Sequence, residues 1–492
     1  MLRTVNDQLS LWDAILPPEL LVLPDELGRV DGPLDDPVFF APFVPFFDPR
    51  IGRPSVPMET YLRMMFLKFR YRLGYQTLCR EVGDSISWQR FCRIPFGTRV
   101  PHPTTLMKLT RRCGDAAVAG LNDTLLANAA EHKLLRSDKV RADTTVVEAA
   151  VAYPTDSGLL AKAVGSMTRT IRRIQAAGGA TRTRVRDRRR SAGQRARSSA
   201  AKLRLRGAAA REEGQAAVLR ITGQLGDIAQ SVMADAQAVV RNARRSLRTT
   251  GGRRRGQLHR ALNDLDTLLE CTKCVVDQTR SRLAGVMPDS ATRIVSFHDV
   301  DARPIRKGRL GKSVEFGYKT QVVDNADGII LDHIVEIGNP ADAPQLAPAI
   351  ARITERAGRV PTAVTADRGY GYAAVEADLH HLGVRRVAIP RASKPSAARR
   401  EFEHRKAFRA KVKWRTGCEG RINHLKRGYG WNRTELTTLT GARTWCGHGV
   451  SQPSQDQRPG RMTNRPQTVH RPDRPATPNQ PQTINPFSGR SS

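Results

Sequence analysis

Two short β-rich segments, each carrying an aspartate, lie on either side of a long stretch of helical pattern, and any fold of this chain has to accommodate that interruption. The first segment, Lys139–Val147, is a β-branched run with Asp143 inside it. The second, Ala363–Ala366, leads directly into Asp367 before Gly369 opens a turn. Between them, residues 158–288 are rich in Ala and Arg. Leu, Ile and Val recur at helical spacing in Leu219–Val240 and Leu258–Leu283, with breaks at Gly178-Gly179 and Gly251-Gly252. The block reads as a helical hairpin, although residues 181–200, where arginines alternate with small polar residues, also suit a solvated coil. After it, Phe316–Asp324 and Ile329–Ile337 flank the turn Asn325–Gly328 and predict a β-hairpin. A helix from Pro340 to about Ala357, the Asp367 strand, a helix over Tyr372–Leu382, a strand over Arg385–Ile389 and a last helix follow. Acids at strand ends in such α/β folds face the crevice where ligands bind.

The last helix carries the sharpest chemistry. Read at 100° per residue, Arg415, Glu419, Asn423 and Lys426 form one stripe, while Ile422 and Leu425 turn towards a neighbour. A carboxylate among cations suits a site that holds a divalent metal and grips phosphate oxygens. The competing reading is an ordinary surface ion pair. A site with two metals needs several acids converging from distant segments, and Asp143 and Asp367 supply the other two. Acids grouped in this way repel one another, so at least one should titrate high when no metal is bound.

Taken together, Asp143, Asp367-Arg368-Gly369-Tyr370 and the spacing Arg415-x₃-Glu419-x₆-Lys426 resemble the bacterial insertion-sequence DDE transposases of the Tyr-x₂-Arg-x₃-Glu-x₆-Lys branch. The likeness extends to Phe47–Pro54, Tyr153–Ser157, Phe316–Lys319 and Gly338–Asp342, covering about residues 40–449. One position departs from it: the signature tyrosine falls at Val412. The resemblance implies an α/β, RNase H-like catalytic core with a long helical insertion, in which the first strand lies beside the strand ending at Asp367. Those two aspartates would then be neighbours although 224 positions separate them. It implies Asp143, Asp367 and Glu419 as catalytic and metal-binding acids, holding two Mg²⁺ ions for which Mn²⁺ substitutes. Arg415, Lys426, Arg368, Arg421 and Arg427 are the expected DNA contacts, with a structural role in supporting the acids the alternative for Arg368, Tyr370 and Arg415. The expected partners are the element's terminal inverted repeats and target DNA, bound by a dimer or larger assembly.

The implied organisation is a helical, helix-turn-helix-like DNA-binding region over 1–135, the first part of the core over 136–157, the Arg-rich insertion over 158–288, the second part of the core over 289–450 and a tail over 451–492. Within the first region, the Pro- and Phe-rich residues 1–50 read as extended and packed over another surface. Helices are expected from Met58, near Gln76–Val82 and Ser87–Arg93, and from Thr104 to Cys113. A plain helical bundle with a solvated basic face is the alternative to DNA recognition there. Charge agrees with a polyanionic partner: the net charge is +34, and residues 161–260 contribute 25 Lys and Arg against 5 acids. No apolar run reaches the length of a membrane span and the N-terminus lacks a signal-peptide pattern, so a cytoplasmic, nucleoid-associated protein with reduced thiols is expected. Cys271 and Cys274 have zinc-like spacing but no second pair nearby, and His298 reads as structural. Residues 451–492 are rich in Pro, Gln, Arg and Thr and read as a disordered, frameshifted tail in place of an apolar helix. A decayed DNA-binding relic or a nuclease of the same fold therefore stands beside an active transposase.

Overall fold

The computed structural model describes residues 1–4, 15–133, 135–204, 208–306 and 313–456. Residues 25–46 are not extended, and the part of that expectation that falls on residues 5–14 lies outside those described. Helix α1 (Asp25–Asp31) is followed by 3₁₀ turns at Gly32–Asp35, Pro37–Phe39 and Ala41–Phe46, because the prolines fix backbone torsions compatible with tight turns and remove donors a strand would need. Phe39, Phe40, Phe43 and Phe47 are thereby buried. They form one core with α2 (Met58–Arg70), α3 (Tyr75–Asp84), α4 (Ile86–Phe91) and α5 (Pro103–Glu131). Ser85 caps α4 by accepting from Trp88 N–H. Helix α5 begins as expected but does not stop at Cys113: at Gly114 the backbone takes φ +64°, ψ −158°, and the helix resumes after this kink. Only glycine adopts that conformation at low cost, so a residue that reads as a terminator acts as a bend.

Strand β1 (Lys139–Ala149) leads into α6 (Asp156–Ala176), α7 (Arg189–Lys202), α8 (Ala208–Ser246) and α9 (Gly252–Leu283). The insertion is a bundle of these helices and not a hairpin. Leu160, Val164, Met167 and Ile171 of α6 meet Leu225, Val232, Ala236 and Val239 of α8 and Leu258, Leu262, Leu265 and Val275 of α9 in one apolar core. Residues 189–202 are helical as well, with Ala192 in that core. Three- and four-residue spacing gives each helix an apolar stripe, and a stripe on every helix is buried more fully in a bundle than in a pair.

The chain then adds β2 (Arg303–Arg306), β3 (Val314–Asn325), β4 (Ile330–Ile337), α10 (Ala343–Ala357), β5 (Ala363–Ala366), α11 (Ala373–His381), β6 (Arg386–Ala388), α12 (Ala397–His404), α13 (Lys406–Gly428), β7 (Arg433–Thr434) and α14 (Thr438–Asp456). The predicted hairpin and the helix–strand alternation are present. The sheet is mixed: β3 pairs antiparallel with β1, β2 and β4, whereas β5 and β7 run parallel to β1 and β6 runs parallel to β5. The β1–β5 register places Ala142 opposite Ala366, which confirms the expected adjacency of these two strands. Side chains alternate along β1. Val140 and Ala142 join a core under α10 and α11, while Arg141, Asp143 and Val147 face α13 and α14.

Helix α14 continues to Asp456, six residues into the segment read as a tail, and buries Trp445, Cys446 and Val450. The expectation for the remainder of that segment falls on residues 457–492, outside those described. No described helix is long and apolar enough to cross a membrane.

Candidate active site

Two backbone facts place the aspartates. Asp143 follows Ala142 on β1 and Asp367 follows Ala366 on β5, so the paired residues lead into both acids from parallel strands. Asp143 is buried, and its Oδ1 accepts from the Thr144 N–H at 2.8 Å. Asp367 is half-exposed and accepts from the Gly369 N–H at 2.7 Å, capping the 3₁₀ turn Arg368–Tyr370.

Glu419 arrives on α13, whose buried face of Cys418, Ile422 and Leu425 lies on the sheet. One guanidinium joins it to the strand acids: Arg415 Nη1 reaches Asp143 Oδ2 at 3.1 Å, and Nη2 reaches Glu419 Oε1 at 2.8 Å. The Asp143 side chain is 12% exposed and that of Glu419 61%. Burial pushes the Asp143 carboxyl up to about 6; the Thr144 N–H and Arg415 oppose the shift, and the charges of Asp367 and Glu419 add to it. An acid is raised as expected of grouped carboxylates, but burial is the main cause and the neighbouring charges contribute less.

Among the described residues, no three His, Cys, Asp or Glu side chains lie close enough together to hold a metal ion. Arg415 stands between Asp143 and Glu419 and pairs with both. The donor set itself, carboxylates from inside one strand, from the end of its neighbour and from a helix, suits a hard divalent cation. Arg415 supplies the counter-charge in this arrangement.

The other expected DNA contacts divide. Lys426 and Arg427 lie on the last turns of α13, half-exposed and exposed respectively. Arg368 turns away to donate to the Arg391 carbonyl at 2.7 Å and ties the turn after β5 to the segment after β6. Arg421 is half-buried, packed against Gly328 in the β3–β4 turn and near Asp324, so its guanidinium is turned towards the protein.

Three further residues adjoin the acids. Tyr370 is fully buried, its hydroxyl has no hydrogen-bond partner among the described residues, and it feels the charges of Asp342, Asp143 and Asp367. Lys319 pairs with Asp342 at 2.7 Å. A methyl at Gly369 would lie 3.0 Å from Asp367 Oδ1 and 3.5 Å from Asp342 Oδ2, so these two carboxylates flank one glycine. The sequence signal was available: Lys319 and Asp342 sit in two of the stretches that carried the family likeness. Arg141 gave a different signal, a cation two positions before Asp143 and therefore on the same strand face.

The zinc-like pair does not assemble a site, since Cys271 and Cys274 are free thiols on α9. Next to His298, Asp299 accepts from the Tyr318 hydroxyl and from the Thr438 N–H at the start of α14, which is a structural role.

Residues 22–112 match the family described as a transposase domain (DUF772), and residues 295–448 match the transposase DDE domain. The second match contains Asp367 and Glu419 and begins after Asp143, whose position follows from strand register instead. No curated protein and no solved structure matches the chain. A DDE domain implies an RNase H-like fold and DNA as the partner, in keeping with the mixed sheet described above. On both matched domains, the chain belongs with the insertion-sequence DDE transposases.

Proposed function

We propose that this transposase binds the terminal inverted repeats of its own element, cuts the DNA at those ends and joins the freed 3′-hydroxyls to target DNA, with Asp143, Asp367 and Glu419 as the catalytic acids. The observation that carries the reading is the convergence of strand register and ion pairing: parallel strands lead into Asp143 and Asp367, and Arg415 ties Asp143 to Glu419. When bound, two Mg²⁺ or Mn²⁺ ions would supply Lewis-acid stabilisation of the attacking and departing oxygens. The chain's own residues hold the acids in place, keep Asp143 out of water and offer cations to the DNA backbone.

In this reading Arg415 has two partners in turn. Without DNA it neutralises Asp143 and Glu419; with DNA, a phosphate oxygen competes for the same planar fork. Lys426 and Arg427 extend the cationic face along α13, and Arg368 steadies the turn that carries Asp367. The basic insertion lies along the DNA, and the helices of residues 22–112 recognise the ends. Two ends have to be held together, so the working assembly is at least a dimer on DNA, acting at the nucleoid.

Labelled element ends incubated with purified protein, target plasmid and Mg²⁺ or Mn²⁺ test the proposal. Joined products are expected. Cutting without joining would favour a nuclease of this fold. Binding without cutting would favour a decayed relic, the reading to which Val412 lends weight. Protein that neither binds nor cuts element ends overturns the proposal.

A further inference from the structure

We propose that Arg141 is a positioning residue whose guanidinium sets how closely α13 approaches β1, and hence where Glu419 and Arg415 stand relative to Asp143. The inference rests on reading those acids as the cutting site.

All three arms of the guanidinium are engaged. Nε and Nη2 reach the two carboxylate oxygens of Asp324 at 2.7 and 2.8 Å. Asp324 is fully buried and is Arg141's direct cross-strand neighbour, so this pair belongs to the sheet. The third arm leaves the sheet: Nη1 donates to the Trp414 carbonyl of α13 at 2.9 Å, and Cζ lies 4.7 Å from the centre of the Trp414 ring. Trp414 immediately precedes Arg415, so the helix is held at the residue beside the one that contacts Asp143.

Gly417 makes this approach possible. A methyl there would lie 2.9 Å from Arg141 Cζ, 3.1 Å from Nη2 and closer still to Nη1. The guanidinium cannot swing aside without giving up Asp324 and the Trp414 carbonyl, so the helix would have to move outward. The helix does not need this contact to dock, because Cys418, Ile422 and Leu425 already bury its apolar face. A buried Arg–Asp pair adds little net stability over an apolar alternative but fixes one geometry among several that apolar contacts would tolerate. That is the requirement of a site split between a sheet and a helix, where a misplacement of about 1 Å costs ~100-fold in rate.

The test is a cycle of Gly417→Ala, Arg141→Lys and the double variant. Gly420→Ala on the same helix serves as control, since a methyl there meets nothing within 4 Å. Thermal unfolding, Mn²⁺ affinity by electron paramagnetic resonance and cutting of element ends are read on each. Alanine favours helix over glycine, which offsets much of the clash, so Gly417→Ala should leave a folded protein with a melting temperature close to wild type. It should nevertheless weaken Mn²⁺ binding about tenfold and cutting about 100-fold. In the Arg141→Lys background, which lacks the fork the methyl would strike, Gly417→Ala should cost nothing further. Gly417→Ala that binds Mn²⁺ and cuts like wild type overturns the proposal, as do losses that simply add in the double variant. Wild-type cutting matched by Asp143→Ala overturns the reading of the acids, and this placement with it.

Discussion

Asp143 and Asp367 sit on backbone whose mutual register is held by strand hydrogen bonds, whereas Glu419 sits on a helix located by side chains: the apolar row Cys418, Ile422 and Leu425, the Arg141 fork and the Arg415 bridge. On the strand side Asp143 is buried and already raised. The helix side is exposed at Glu419 and neutralised by a movable guanidinium. A site built in this way has one fixed half and one adjustable half, and the adjustable half is where regulation and decay would act first.

The largest expected effect breaks the fixed half. Asp143→Ala should reduce cutting by about 10⁴-fold or more while leaving binding to element ends intact in a mobility-shift assay; residual cutting near wild type would remove Asp143 from the mechanism. Next is the link between the halves. Asp324→Ala leaves a buried Arg141 unpaired and should cost about 3–5 kcal/mol in denaturant unfolding; a loss below about 1 kcal/mol would show that the pair is solvated and does not locate the helix.

A third effect concerns the platform to which α13 connects through β7 and α14. His448 on α14 is buried, stacked on Phe69 of α2 at 5.5 Å. Burial, and then the charge of Lys68, hold its imidazole down at about 4 from a usual 6.5. The unfolded chain therefore binds this proton first. Stability is full above pH 6.5 and falls as pH drops through 4, by about 3 kcal/mol for this group. His448→Gln should flatten the acid limb of the stability profile by that much, and an unchanged limb would show that the histidine finds a partner when protonated. The smallest effect tests the adjustable half alone. Arg415→Gln should tighten Mn²⁺ binding about tenfold in the absence of DNA and weaken the dependence of Mn²⁺ affinity on added DNA. Equal affinities with and without the substitution would mean that Arg415 does not compete with the ion.

Much of this molecule could be read from local pattern. Asp143 and Asp367 stood out as candidates because β-branched or apolar runs with an internal or terminal acid are short, local signals, and because they fall in the segments that carry the family resemblance. The hairpin was visible for the same reason, as Asn325–Gly328 supplies the turn between two β-rich runs. Gly114 shows the limit. A glycine after Cys113 marks the end of a helical pattern, but whether the chain stops or bends there depends on what lies beyond, and α5 continues to Glu131. The N-terminal phenylalanine and proline run was misread as extended because its turns are set by proline torsions and by burial against α2, which spacing does not show. The Arg-rich block hid a bundle core because each helix shows its apolar stripe without naming the stripes it will meet.

The sequence by itself determined the strand and helix types and the charge that suits a DNA partner, because each depends on residues close together in the chain, and the family resemblance pointed to the candidate acids. Only the tertiary structure decided that Arg421 belongs to the β3–β4 turn, that Arg415 bridges Asp143 and Glu419, and that Arg141 meets α13 at Gly417. Those contacts join residues 272 or more positions apart in two of the three cases. They depend on how a helix seats on a sheet, which is settled by packing and buried charge after the local pattern has been satisfied.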